Sequence, residues 1–256
     1  MKVFEPSTLD HFSEFGYAVF GLDANDLIDN VNKDISKIVE STEFKVNSKI
    51  YSYNDSPRIV ESWKLSENCK ALSKHPKIMS FLNEVFKAEP KPFSTINFLH
   101  STQQPLHSDY VHFGTIPELL LAGSWIALED IDPKAGPIQV VPKSQKLKLF
   151  NFFEDVGAEI PKSLSQVKKN YSAYEDWVKQ VLEDKGLSPV TPRLKKGDCV
   201  IWDANVLHGS PKCDNLTLSR KSMATHWVSS EVEESYVPMF SSPHVGMFKR
   251  RILEFY

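Results

Sequence analysis

The sequence predicts an α+β fold with a mainly β core, a sandwich or barrel preceded by helices. Two observations carry this. Up to about residue 90 the apolar residues recur at helical spacing. From residue 92 the chain breaks into short segments rich in β-branched and aromatic residues and bounded by Gly, Pro, Asp and Ser. Helices first and a run of strands afterwards is the order of an α+β chain. The 256 residues suffice for one domain. It is expected to comprise a mainly helical flank over 1–90, a strand core over 92–230 with a helical insert near 160–186, and an extension over 231–256.

Taken in order, "STLDHFSEFGYAVFGL" reads as a helix running into a short strand. Ser7 or Thr8 can cap it, Leu9, Phe12 and Phe15 share a face, and Gly16 ends it. Residues 25–41 place Leu27, Ile28, Val31, Ile35, Ile38 and Val39 at helical spacing. Residues 67–87 do the same with Cys69, Leu72, Ile78, Leu82, Val85 and Phe86, and His75-Pro76 divides them into two helices. The strand segments are "PFSTINFLHS", "LLAGSWIALEDI", "GPIQVVPKS", "GDCVIWDANVLHGS" and "SRKSMATHWVSS". Between them, "SAYEDWVKQVLEDK" (172–185) sets Tyr174, Trp177, Val178, Val181 and Leu182 on one helical face before Gly186. That helix is either a lid over a substrate or a buttress outside the sheet.

Composition narrows the class of function. A net charge of −3 with short, solvated Lys/Arg pairs gives no reason to expect nucleic acid or an anionic membrane as partner. Cys69, Cys199 and Cys213 are an odd set without a C-x-x-C, which suggests neither a disulfide framework nor a zinc finger. No run approaches the roughly 18 apolar residues of a membrane span, and no signal-peptide core follows the charged start. The expectation is a cytoplasmic protein in a reducing compartment that acts on a small molecule.

The chemistry concentrates in "QPLHSDYVHF" (104–113). His107 and Asp109, two apart on an expected strand, point to one face. With His208, at the end of "VIWDANVLHGS", they make the two-histidine, one-carboxylate set that leaves open positions on Fe(II). Arg220 opens the next strand-like run and, if the two segments pair, can reach back to grip a carboxylate bidentately. His-x-Asp, then about a hundred residues, then His, then Arg suits an iron enzyme that binds an α-keto acid. Ligands alone leave open a zinc-dependent hydrolase or isomerase on a cupin-like barrel, although neither needs a carboxylate clamp at that spacing. A non-catalytic small-molecule binder is the third reading.

The sequence resembles the phytanoyl-CoA dioxygenase family of Fe(II)/2-oxoglutarate-dependent oxygenases. The resemblance runs from "FSEFGYAVF" through "PLHSDYVHF", "SWIALEDIDPKAGPIQVVPKSQK" and "KKGDCVIWDANVLHGS" to "SRKSMATHW". It implies a double-stranded β-helix (jelly-roll, cupin-like) core with flanking helices, and Fe(II), 2-oxoglutarate and O2 as cofactor and cosubstrates. Carried over, it makes His107, Asp109 and His208 the iron ligands and Arg220 the partner of the 2-oxoglutarate C5 carboxylate. Trp125 and Ser210 fall where the family also contacts the cosubstrate, and Asn97 is expected to line the same pocket. The family's halogenating members replace the carboxylate ligand with a small residue, so Asp109 points to hydroxylation or another oxidation and away from halogenation. Two departures concern the substrate. The segment after "VPKSQK" lacks the glycine and histidine of the plainer "P-G-S-H-K", and the 171–186 insert lies outside the shared core.

Plainer readings apply to the remaining candidates. On a regular strand His112 faces away from His107. His100 and His226 are expected to be hydrogen-bonded structural histidines at strand ends, and Tyr110 a packing residue. Tyr51, Tyr53 and Arg58 fall in a loop-like stretch that is either surface or an entrance segment. Trp125 would be ordinary core without the resemblance.

Overall fold

Strand alternation divides the large sheet into two differently occupied faces. The computed structural model describes residues 6–41, 52–53, 56–245 and 248–256. Their strands are β1 (Tyr17–Gly21), β2 (Ser52–Tyr53), β3 (Ser56–Val60), β4 (Pro90–Phe98), β5 (Gly114–Ile116), β6 (Leu121–Ala127), β7 (Gln139–Val140), β8 (Asp198–Asp203), β9 (His208–Gly209), β10 (Ser222–Ser229) and β11 (Glu234–Tyr236). Seven form one antiparallel sheet in the order β1-β8-β6-β10-β4-β3-β2. β5 pairs with β11 and β7 with β9 in two short ladders. The flank and the strand core share this sheet, because β1 lies against β8 and β3 against β4.

One face carries Ala122 and Ile126 of β6, Cys199 and Ile201 of β8, and Met223 and Trp227 of β10. Four helices cover it: α1 (Pro6–Phe15), α2 (Asn25–Glu40), α3 (Glu67–Ser73) and α4 (Pro76–Phe86). They supply Phe12, Ile28, Val31, Ile35, Leu72, Phe81 and Leu82. Complete burial of each large aliphatic side chain contributes about 1.5–3 kcal/mol, so this apolar layer dominates the attachment of the helices. α1 starts at Pro6, one residue ahead of the expected caps, so Ser7 and Thr8 lie inside its first turn. Gly16 then ends it in the left-handed region at φ +83°. The break at His75-Pro76 is real: Pro76 opens α4 and the His75 ring accepts from the Lys77 N–H.

The other face presents Trp125 and Ala127, Val200 and Trp202, and Ala224, packed with Ile138, Val140 and Val206 from the segments that carry β7 and β9. Helix α5 (Phe152–Asp155) and the long helix α6 (Leu164–Lys185) lie beyond. α6 begins eight residues before the expected 172 because Ser163 caps it, accepting from the Gln166 N–H. Its buried Tyr174 and Val178 pack against Val111, Phe150, Phe152 and Leu207. The chain end runs back along β11, where Arg251 bridges to Ser235, and Tyr256 stacks on Trp63 at 4.1 Å.

Candidate active site

The second face of the sheet floors a cavity of about 490 Å3. Its centre is built by three short pieces of irregular or barely regular chain. His107 and His208 face each other in an isolated antiparallel bridge, exchanging backbone hydrogen bonds of 2.9 Å each. After Ser108 the chain turns into a 3-10 helix, Asp109–Val111, so Asp109 stands on a turn and not on the expected strand. The turn swings its carboxylate in toward the two imidazoles. One ligand atom from each of His107, Asp109 and His208 lies within 4.8 Å of the others, and all three residues are buried.

Tautomer and charge are fixed from behind. His107 Nδ1 lies 2.9 Å from the Pro105 carbonyl and His208 Nδ1 3.0 Å from the Val206 carbonyl, so each Nδ1–H donates and each Nε2 keeps its lone pair. Burial and the neighbouring His208 hold the His107 pKa well below its ordinary value, and burial lowers that of His208. Burial opposes ionisation of Asp109, but the surrounding His208, His226 and His107 outweigh it and keep the carboxyl below its usual range. Two neutral imidazoles and a carboxylate, converged in a buried site, are a donor set for a divalent transition metal.

The sheet receives Asp109 in a cradle of three register partners. Gly123 of β6 is flanked by Trp202 of β8 on one side and His226 of β10 on the other. Trp202 Nε1 donates to Asp109 Oδ2 at 2.8 Å, and His226 Nε2 lies 3.4 Å from Oδ1. Gly123 is required here, because a Cβ at that position would stand 2.3 Å from the Trp202 indole. His226 therefore sits in mid-strand facing the site, not at a strand end as a structural histidine.

Arg220 closes the deep end. Its Nη1 donates to Ser210 Oγ at 2.9 Å, and its guanidinium lies 5.6 Å from the Trp125 ring and 5.4 Å from that of Phe98. Its Nε has no hydrogen-bond partner, and no carboxylate pairs with it among the described residues. Burial and the nearby Arg58 bring its pKa down to about 10, so it remains a cation at neutral pH. Trp125, Ser210 and Arg220 thus line one wall. Asn97 does not join them. Alternation on β4 gives Ile96 and Phe98 to the cavity and turns Asn97 to the helix-covered face, where its Oδ1 accepts from Ser62 at 2.5 Å.

His112 lines the same cavity as His107, with ring centroids 5.7 Å apart, because the 3-10 turn cancels strand alternation. Burial lowers its pKa to about 4. It stacks on Tyr171 of α6 at 5.6 Å. One turn further on, the Tyr174 hydroxyl accepts from the N–H of Ser108, the residue between two of the triad members, at 2.8 Å. Tyr110 turns away to its hydroxyl partner Tyr236 at 2.9 Å. His100 is exposed and bonded to the Leu218 carbonyl at 3.0 Å. Arg58 lines the cavity and donates to Gln104 at 2.8 Å. Tyr51 falls outside the described residues, and of Tyr53 only the backbone of β2 is described.

Comparison with known proteins agrees with this architecture. The model of the phytanoyl-CoA dioxygenase (PhyH) family matches residues 12–222. The chain is 25% identical over 224 residues to the peroxisomal phytanoyl-CoA dioxygenase of Rattus norvegicus, covering 85% of this chain and 56% of that one. It is 25% identical over 211 residues to a probable phytanoyl-CoA dioxygenase of Caenorhabditis elegans, covering 79% and 61%. The chain therefore spans little more than half the length of these relatives. Among solved structures, the non-heme α-ketoglutarate-dependent carbocyclase SnoK of nogalamycin biosynthesis superposes with a TM-score of 0.72 at 15% identity, over 98% of this chain and 95% of that one. EctD from S. alaskensis gives a TM-score of 0.68 at 17% identity, over 96% and 84%. At these identities the likeness is one of fold.

Proposed function

The chain belongs to the phytanoyl-CoA dioxygenase family, and from that membership we propose that it is an Fe(II)/2-oxoglutarate-dependent dioxygenase. In this reading it hydroxylates an unactivated C–H of a small polar metabolite or natural-product intermediate, and the jelly-roll core, single-domain organisation and cytoplasmic location expected from sequence go with it. No helix among the described residues is long and apolar enough to cross a membrane. The observation that carries the proposal is the pairing of two features in one cavity. A buried His107/Asp109/His208 donor set lies near a buried arginine with no anionic partner among the described residues.

Both features fit Fe(II) and 2-oxoglutarate. His107, Asp109 and His208 would hold the iron through Nε2, a carboxylate oxygen and Nε2, three donors already aligned and deprotonated. The cationic Arg220, assisted by Ser210, would pair with the far carboxylate of 2-oxoglutarate, which removes the cost of an unpaired buried charge. Bound iron supplies the oxidising chemistry, coupling conversion of 2-oxoglutarate and O2 to succinate and CO2 with transfer of one oxygen atom into a substrate C–H. The protein's own share is positional. Trp202 and His226 orient Asp109, the Pro105 and Val206 carbonyls orient the histidines, and Tyr174 pins Ser108 between two ligands. The apolar wall of Ile96, Phe98, Ile138 and Trp125 excludes water from the reacting C–H.

The test is anaerobic loading with Fe(II) and 2-oxoglutarate, followed by the visible spectrum and, on admission of air, succinate measurement. A weak charge-transfer band and slow succinate formation, both lost in His107→Ala, are expected. Tight zinc retention with no band would move the zinc hydrolase or isomerase reading to the front.

A further inference from the structure

The cavity carries more positive charge than its chemistry consumes. Its walls include three arginines, Arg58, Arg220 and Arg251, but among the described lining residues only one carboxylate, Asp109. On the reading above, the divalent ion and Arg220 are balanced by Asp109 and the two carboxylates of 2-oxoglutarate. Arg251 then adds positive charge to a cavity in which these groups already cancel.

Arg251 is the informative one, because of where it comes from and how it is held. It belongs to the chain end, 29 residues past the last residue matched by the family model, so it reaches the cavity from outside the matched region. Its backbone is clamped: its N–H donates to the Ser235 carbonyl at 2.5 Å and its carbonyl accepts from Ser235 Oγ at 2.6 Å. Arg250 pairs with Glu234 beside it. Its guanidinium lies 4.6 Å from the Phe113 centroid, and Nη1 donates to the His112 carbonyl at 3.1 Å. No carboxylate among the described residues pairs with it. The arginine is exposed yet lines the cavity, so it stands at the rim, beside His112 and Phe113. A planar guanidinium held by its stem over an aromatic ring, with donors left over, is suited to grip a planar or tetrahedral oxyanion bidentately.

We propose that the substrate carries an anionic group, a carboxylate or a phosphate ester, which Arg251 binds at the rim while the body of the molecule lies along Phe113 and Tyr171 toward the metal. This rests on the dioxygenase reading, since that reading consumes Arg220 and leaves Arg251 for the substrate. The chain end then acts as a specificity element, and an uncharged analogue of the same shape is discriminated against because it leaves the guanidinium unmatched.

The test is calorimetry on the full chain loaded with Mn(II) and 2-oxoglutarate, with a melting curve to verify each variant's fold. Matched probes are 3-phenylpropionate against 3-phenylpropanamide and phenyl phosphate against benzyl alcohol. An anion of at least one pair is expected to bind about tenfold or more tightly than its neutral partner, a difference of about 1.4 kcal/mol. The carboxylate and phosphate arms distinguish the two anion types. Arg251→Gln should reduce the anion to the level of the neutral probe, and Arg251→Lys should restore part of the preference. Equal binding of both members of each pair by the wild type, or a preference that survives in Arg251→Gln, would overturn the proposal. Failure of 2-oxoglutarate itself to bind the Mn(II) protein would remove the dioxygenase reading and this inference with it. Normal 2-oxoglutarate binding without anion preference would remove this inference alone.

Discussion

Trp202→Phe isolates the orientation of the carboxylate ligand. The substitution deletes one N–H and the pyrrole ring and leaves an aromatic ring beside His208, which Trp202 meets at a centroid distance of 4.4 Å. The lost bond is 2.8 Å long between residues each about 2% exposed, and it ends on an ionised acceptor. Hydrogen bonds to charged groups contribute about 1.5–3 kcal/mol, and removing an outer partner of a metal ligand typically costs 10–100-fold in metal affinity. The latter range is about 1.4–2.7 kcal/mol, so the two figures agree. Calorimetric titration of Mn(II) into the metal-free protein at pH 7 should therefore show a Kd raised by roughly one to two orders of magnitude. His107→Ala serves as the baseline for loss of a ligand. A Kd within about twofold of wild type, in a variant that melts normally, would show that His226 alone suffices to orient Asp109.

Three further outcomes follow from the same geometry. Gly123→Ala places a methyl 2.3 Å from the Trp202 indole; overpacking of this kind costs about 1–3 kcal/mol, and thermal melting should fall by several degrees while Mn(II) affinity drops in parallel. Arg220→Ala should weaken 2-oxoglutarate binding by about 3–5 kcal/mol, measured by calorimetry. It should leave the melting temperature of the cosubstrate-free protein unchanged or higher, since a buried cation without a carboxylate partner is removed. The metal-free protein should lose stability as the pH falls from 7 toward 4. His112 has its pKa lowered to about 4 in the folded state against an ordinary 6.5, so the unfolded chain binds the extra proton throughout that window. Its share is on the order of 3 kcal/mol. Melting curves of His112→Asn should show a shallower decline, and a flat wild-type profile between pH 7 and 5 would contradict the burial of this imidazole.

The helical flank was readable because its apolar spacing reports one covered face: Ile28, Val31 and Ile35 of α2 are the residues that meet the sheet. The division at His75-Pro76 was readable for a covalent reason, the missing proline N–H. The start of α6 was not, because residues 164–171 carry little apolar periodicity and Leu164 is itself exposed. Its role could not be chosen from sequence either. The structure shows Tyr174 bonded to Ser108 and Tyr171 stacked on His112, a helix that supports the site from behind and lines it at once. Arg251 had no local signal at all, since its place depends on a bridge to Ser235 across the chain end.

The same distinction explains the errors at the site. Taken as a strand, His-x-Asp places His112 on the far face by alternation. A strand advances about 3.3 Å per residue, which sets side chains at i and i+2 nearly 7 Å apart and parallel. That is too far for two ligands of one ion unless their side chains converge. The chain solves this by ending the bridge at His107 and tightening into a 3-10 turn at Asp109, which brings ligand atoms within 4.8 Å and carries His112 round to the same cavity. A compact ion requires convergence, so the spacing of metal ligands argues against regular extended backbone between them. The single glycine in "LLAGSW" carried a second unread signal. A residue without a side chain in mid-strand marks a close approach, and here the approaching groups are Trp202 and the carboxylate it holds.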